Sequence, residues 1–147
     1  MIEKDLLMHV FYEDTDFTGY VFHANFLRYF SRAREEFLGL KNLKNLYNLG
    51  KHFVVRSCQM TFHKPVSHGD LLLIRSRATE SQGAVIMFEQ LLYLKNEEGQ
   101  LTLAVSAIIE LVTVGRTGAP IRVPQDIKDL CFRSLQHDPV LVNEKRT

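Results

Sequence analysis

The sequence predicts an α+β fold in which one long helix is wrapped by a curved, largely antiparallel sheet. The chain has 147 residues, 46% of them hydrophobic, which suits one domain with a real core. An early segment repeats apolar residues at helical spacing, and four strand-like segments follow with short connections. Parallel crossovers need a dozen or more residues, so these strands must be mostly antiparallel.

The helix is predicted from Ala24 to Gly39. Its apolar positions recur every three or four residues: Phe26, Leu27, Phe30, Ala33, Phe37 and Leu38. Asn25 is a candidate cap, and Gly39 can end the helix with a positive φ. We expect Arg34 to make a structural ion pair. We also assign Tyr12 and Phe22 to the core with Phe26 and Phe30. So wide and aromatic a stripe is best covered by a sheet.

The remaining elements are mostly strands. Strand-like residues occupy 8–12, 53–63, 69–79, 84–94 and 101–114, and a second, shorter helix suits 125–136. "KNEEGQ" is typical of a hairpin loop, and the tail after His137 is expected to be loose. The prediction is a single domain over 1–147, with a core of about 8–130.

Composition excludes several classes of function. The net charge is +1, with no basic block for nucleic acid. The longest apolar runs are too short to span a bilayer, and the N-terminus lacks a secretory pattern. Cys58 and Cys131 lack metal or redox spacing. These features predict a soluble cytoplasmic protein without a membrane span.

The stretch "FYEDTDFTGYVFHANF" places Asp14 and Asp16 just before the helix. On residue types alone, turn and capping chemistry is the commoner explanation for such a pair. A metal site would need ligands at a recognised spacing, which the nearby histidines do not provide. The third possibility is a working carboxylate beside a helix start, whose free N–H groups can hold an oxyanion. Gly19 would let the backbone turn tightly and a substrate approach closely.

The segment "YEDTDFTGYVFHANFLRYFSRARE" resembles the signature of the 4-hydroxybenzoyl-CoA thioesterase family, and especially its YbgC-type acyl-CoA thioesterases. The shared pattern is an aromatic residue, D-T-D, two variable residues, Gly, a variable residue and Val. "FVVRSCQMTFHKPVSHGDLLLI", with its aromatic-x-x-Pro, and "PIRVPQDI" resemble later family segments. The resemblance covers about residues 8–130.

This resemblance implies a hotdog fold and hydrolysis of acyl-CoA to a carboxylic acid and CoA. It assigns Asp16 as nucleophile or general base, and the backbone N–H of His23 as the oxyanion donor. Asp14 becomes a loop-stabilising acceptor. Tyr20 and Phe17 lie near the turn and are candidates for the acyl channel, with Gly19 between them. No metal or other cofactor is implied, since CoA is part of the substrate.

The family resemblance also implies a homodimer or homotetramer with the active site between subunits, and an association with lipid metabolism. One departure bears on the carrier. Some relatives place Arg or Lys between the third and fourth strands to contact CoA phosphates, whereas this chain has "ESQGA" there. Lys64, Arg75 and Arg122 are the weak alternatives. Acyl carrier protein is therefore an alternative carrier, and a non-catalytic acyl-binding or interaction module is an alternative function.

Overall fold

A computed structural model describes residues 2–133 of the chain and contains five strands and three α-helices within them. The elements in chain order are β1 Glu3–His9, α1 Asn25–Leu38, α2 Leu40–Asn48, β2 His52–Phe62, β3 Leu71–Gln82, β4 Val85–Lys95, β5 Leu101–Val114 and α3 Gln125–Phe132. A 3-10 turn, Tyr12–Asp14, lies between β1 and α1. The predicted tail after His137 lies outside the described residues.

The five strands form one antiparallel sheet in the order β1-β3-β4-β5-β2. The prediction of an antiparallel sheet is confirmed. β1 and β2 are the edges, because β1 pairs only with β3 and β2 only with β5 among the described strands. Irregular register between Val55 and Ser57 in β2, and between Ala78 and Glu80 in β3, indicates β-bulges.

Helix α1 supplies the centre of the core. Its predicted stripe is buried at Phe26, Phe30, Ala33, Phe37 and Leu38, where these side chains pack with the apolar face of the sheet. Phe37 meets Phe88 of β4 edge to face, with ring centroids 5.3 Å apart. The predicted architecture of a long helix against a curved sheet is confirmed.

Several local predictions are wrong. Tyr12, Phe22 and Leu27 are exposed rather than buried. Tyr12 and Phe22 precede α1 and so lie outside its helical stripe, and Leu27 lies in the first turn of the helix. The first strand ends at His9 rather than at residue 12. Helix α2 was not predicted.

The prediction of an ion pair for Arg34 is also wrong. Among residues 2–133 Arg34 forms no ion pair, and its Nη1 instead donates to the amide oxygen of Gln90 at 2.9 Å.

No helix in the described part of the chain has the length and hydrophobicity to cross a membrane.

Candidate active site

The loop before α1 is a small hairpin with Asp16 at its start. Thr15 and Val21 bridge its two arms, and the Asp16 N–H donates to the Tyr20 carbonyl at 3.0 Å. The Gly19 N–H donates back to the Asp16 carbonyl at 3.0 Å. Gly19 has φ of +87°, a conformation that residues with a Cβ rarely adopt. Turn chemistry therefore sets the position of Asp16.

Within the described residues, one oxygen of the Asp16 carboxylate accepts hydrogen bonds. Oδ1 accepts the backbone N–H of Thr18 at 2.8 Å and a short hydrogen bond from the Thr18 hydroxyl. These two bonds, the side-chain bond first, lower the pKa of Asp16 below its ordinary value. The residue is exposed. Asp16 therefore offers an ionised carboxylate at neutral pH, with Oδ2 unengaged among the described residues.

Asp14 is engaged through both oxygens. Oδ2 accepts the Phe11 N–H at 3.0 Å, and Oδ1 accepts the Asn25 side-chain amide at 3.1 Å. Burial alone would raise the pKa of Asp14, but the hydrogen bonds from Phe11 and Asn25 and the positive charge of Arg32 outweigh it and hold the pKa below the ordinary value. Asp14 thus clasps the loop to the first turn of α1, which confirms its interpretation as a loop-stabilising acceptor.

His23 lies just before the first turn of α1. The helix begins at Asn25, and Ala24 caps it without a side-chain hydrogen bond. The Asn25 side chain bonds Asp14 instead of capping the helix. Within residues 2–133 the His23 backbone N–H has no hydrogen-bond acceptor. It is a free donor at the positive end of the helix dipole.

A pocket of about 360 Å³ opens beside this donor. It is lined by Tyr20, Val21, His23, Phe26, Phe62, His63, Lys64, Pro65 and Val66. The loop is fixed to the far wall of the pocket, since the Val21 N–H donates to the Val66 carbonyl at 2.7 Å and the His68 N–H to the Gly19 carbonyl at 3.0 Å. The pocket is mostly apolar with a few polar groups, as ligand sites usually are.

The predicted site residues are only partly brought together. Tyr20 and His23 line the pocket, whereas Asp16 and Gly19 do not. Asp16 is connected to the pocket through its backbone hydrogen bond with Tyr20. Phe17 does not line it: this side chain is 100% exposed at the tip of the loop. Of the candidate phosphate ligands, Lys64 lines the pocket, and Arg75 is held by Asp5 at 2.9 Å.

Three residues that contribute to the site were missed. Thr18 holds Asp16, and the signal was its position two residues after an Asp in a turn, where an Asx-type bond forms. Phe62 and Pro65 form the pocket wall, and both belong to the aromatic-x-x-Pro motif that was noted only as a family marker. In the described part of the chain, no group of three or more His, Cys, Asp or Glu residues could hold a metal ion.

A family model described as the thioesterase-like superfamily matches residues 10–130. The chain belongs to this superfamily. The match begins two residues before the 3-10 turn and ends within α3, so it includes the candidate site and the whole of α1. The predicted membership is confirmed, and with it the prediction of a thioester hydrolase at the level of the family.

Two relatives show how similar the chain is to known members. It is 36% identical over 126 residues to the acyl-CoA thioesterase YbgC of Helicobacter pylori, covering 82% of this chain and 94% of that protein. It is also similar to the probable thioesterase of Bartonella henselae, whose crystal structure has a TM-score of 0.70 at 32% identity and covers 83% of this chain and 98% of that one.

A third comparison concerns the fold alone. The 4-hydroxybenzoyl-CoA thioesterase from Pseudomonas sp. strain CBS-3 superposes with a TM-score of 0.79 at 20% identity, covering 88% of this chain and 99% of that one. The prediction of a hotdog fold is confirmed.

Proposed function

We propose that this thioesterase-like protein hydrolyses acyl-CoA to a free carboxylic acid and CoA, with Asp16 and the His23 N–H as its catalytic groups. The observation that carries the proposal is that one short segment before α1 holds both an ionised, half-engaged carboxylate and a helix-start N–H without an acceptor in the described residues. Similarity to curated acyl-CoA thioesterases supports the choice of substrate class.

In this mechanism the thioester carbonyl enters the pocket and accepts the His23 N–H. Asp16 then either attacks the carbonyl carbon or removes a proton from the water that attacks it. The carbonyl oxygen becomes an oxyanion, which the His23 N–H stabilises. The C–S bond breaks, CoA leaves as a thiolate that takes up a proton, and water supplies the hydroxyl of the acid. If Asp16 attacks, an acyl-Asp16 anhydride precedes that hydrolysis.

The proposal also covers domain organisation, location, cofactors and oligomeric state. We expect residues 1–147 to form a single domain in the cytoplasm. We expect no cofactor, because a carboxylate and a backbone donor account for every step and CoA belongs to the substrate. We also propose a homodimer, with a homotetramer as the larger possibility, because β2 is a long open edge with exposed apolar side chains.

The test is hydrolysis of acyl-CoAs from acetyl to palmitoyl, and of benzoyl-CoA, with a thiol-reactive dye that detects released CoA. Asp16→Asn should lower kcat about 10²- to 10⁴-fold, the usual contribution of a positioned acid or base. Glu13→Gln is the matched control, because Glu13 is an exposed carboxylate on the same loop, and it should keep wild-type turnover.

Other results would redirect the proposal. Turnover only on acyl carrier protein thioesters would change the carrier and make the Arg-free "ESQGA" turn the explanation. Binding of acyl-CoA without turnover on any carrier would favour the acyl-binding module. Equal activity of Asp16→Asn and wild type would remove Asp16 from the mechanism.

A further inference from the structure

Helix α1 carries a buried positive charge that no described carboxylate neutralises. The Arg34 side chain is only 8% exposed. Its single hydrogen bond within residues 2–133 runs from Nη1 to Gln90 Oε1, at 2.9 Å. A guanidinium has five N–H donors, and a buried charge without a counter-ion is costly. The other guanidinium nitrogens have no partner in this part of the chain and are not among its fully buried unpaired atoms, so they are accessible to an external acceptor.

The arrangement around Arg34 is held in place. Gln90 Nε2 donates to the Phe30 carbonyl and to the Ser76 hydroxyl, each at 2.9 Å. Because those bonds require the NH₂ group, the amide oxygen of Gln90 must face Arg34. Gln90 and Ser76 are themselves 0% and 1% exposed. The guanidinium is thus oriented by a buried polar network rather than resting on a mobile surface.

Arg34 lines a second pocket of about 320 Å³ between α1, α2 and β2, away from the candidate active site. Leu38, Leu43, Leu46 and Phe53 give it mostly apolar walls. Glu35 also lines the pocket but forms no ion pair with Arg34 in the described structure. Ser31, Tyr47 and His52 are the other polar residues of its lining. One oriented cation beside mostly apolar walls suits a ligand with one negative group and an apolar body.

We propose that this second pocket binds a carboxylate with an apolar body, whose carboxylate group pairs with Arg34. Arg34 follows His23 by eleven positions, which is roughly 16 Å along a helix at about 1.5 Å per residue. A thioester carbonyl bound at the His23 N–H therefore cannot also contact Arg34. The carboxylate is either a free fatty acid or the far end of an acyl group that carries a second carboxylate. Only this choice of source rests on the proposed function.

The test measures binding without turnover, so its outcome does not depend on whether Asp16 is catalytic. Octanoate is titrated into the full-length protein by calorimetry, and the Arg34 Nε–H signal is followed by NMR. Saturable binding that moves this signal is expected, with octan-1-ol binding at least tenfold more weakly. Arg34→Met should weaken octanoate binding at least tenfold.

A second variant guards against misfolding of Arg34→Met. Leu43→Trp fills the pocket from α2, leaves the Arg34–Gln90 network intact, and should also weaken octanoate binding at least tenfold. Arg28→Met, an exposed arginine on the same helix, is the control and should bind like wild type. Undiminished binding in both pocket variants, equal binding of octan-1-ol, or no binding into the millimolar range would overturn the proposal.

The source of the carboxylate is found by comparing two thioesters of the same length. If it is the far end of the substrate, Arg34→Met raises KM for dodecanedioyl-CoA but not for dodecanoyl-CoA. If the carboxylate belongs to a free fatty acid, Arg34→Met has the same effect on KM for both thioesters. Octanoate should then alter the turnover of the wild-type protein without competing with acyl-CoA. Either result supports the second pocket as a carboxylate site.

Discussion

At the scale of single residues, the two aspartates of D-T-D have different tasks because their surroundings differ. Both carboxylate oxygens of Asp14 accept hydrogen bonds from the loop and α1, whereas one carboxylate oxygen of Asp16 accepts hydrogen bonds from Thr18. The sequence could predict that one carboxylate was structural, because turns and helix starts need acceptors. It could not predict the Asn25 bond to Asp14, because Asn25 had an equally good local role as a cap.

The oxyanion role of His23 can be separated from its side chain. His23→Ala keeps the backbone N–H and should leave kcat within a few fold of wild type. His23→Pro removes that N–H and should lower kcat about 10²- to 10³-fold, the effect of losing one oxyanion donor. The measurement is kcat of both variants on the best acyl-CoA substrate, with circular dichroism to verify that each variant folds. Comparable losses in both variants would assign the effect to the imidazole.

Asp14 makes a pH-dependent contribution to stability. Its folded pKa is lowered, so the stabilisation is present above the unfolded pKa of about 3.9 and is lost as pH falls through the folded pKa. Asp14→Asn should cost about 1 kcal/mol at pH 7, a modest value because water screens a partly exposed carboxylate. Urea unfolding of both proteins should show the difference shrinking below about pH 4. A constant difference down to pH 2 would mean that the charge is irrelevant.

At the scale of elements, α1 was predictable and α2 was not. The α1 pattern is carried by large aromatic side chains at helical spacing, which only one buried face can satisfy. In α2 the sequence "LKNLKNLYN" contains three asparagines, which are weak helix formers, and only Leu46 is buried.

The C-terminus of α1 is held by Lys4, whose ammonium donates to the Phe37 carbonyl at 2.8 Å. No local pattern reveals a contact between residues so far apart in sequence.

Two glycines give a matched test of the turns that flank α1. Gly19 and Gly39 have φ of +87° and +89°, so alanine at either should cost about 1–2 kcal/mol of stability through backbone strain. Only Gly19 lies in the candidate site. Gly19→Ala should therefore also lower kcat/KM, by at least tenfold, while Gly39→Ala keeps it near wild type. Urea unfolding and steady-state kinetics measure both effects; equal kcat/KM in the two variants would argue against a catalytic role for the hairpin.

At the scale of the whole molecule, hydrophobic patterning predicted an antiparallel sheet around a helix but not its strand order. β2 pairs with β5 and β1 with β3, so each edge strand is far in sequence from its partner. Periodicity shows which face of a strand is apolar, but not which neighbour it meets. For the same reason the sequence did not show that "FHKP", which begins at the last residue of β2, forms a wall of the pocket beside His23.

The open edge of β2 leads to the last prediction, that two chains pair there. Val54 and Val55 are 45% and 49% exposed on this strand, and an unpaired apolar edge of 11 residues invites another strand. Light scattering after gel filtration should give at least twice the chain mass of 17.0 kDa. The double variant Val54→Lys, Val55→Lys should shift the protein towards monomer, because paired edges would then oppose like charges across the two-fold axis.

The opposite edge provides the control for this assembly. Leu7 on β1 is 52% exposed, so Leu7→Lys places a positive charge on the other edge and should leave β2 pairing intact. If the active site is shared between subunits, only the β2 variant loses turnover, and its loss should diminish at high protein concentration as dimers reform. A monomeric wild type would mean that the edge is left unpaired in solution and that one chain carries the complete site. A β2 variant of unchanged oligomeric mass would mean that the chains assemble through another surface.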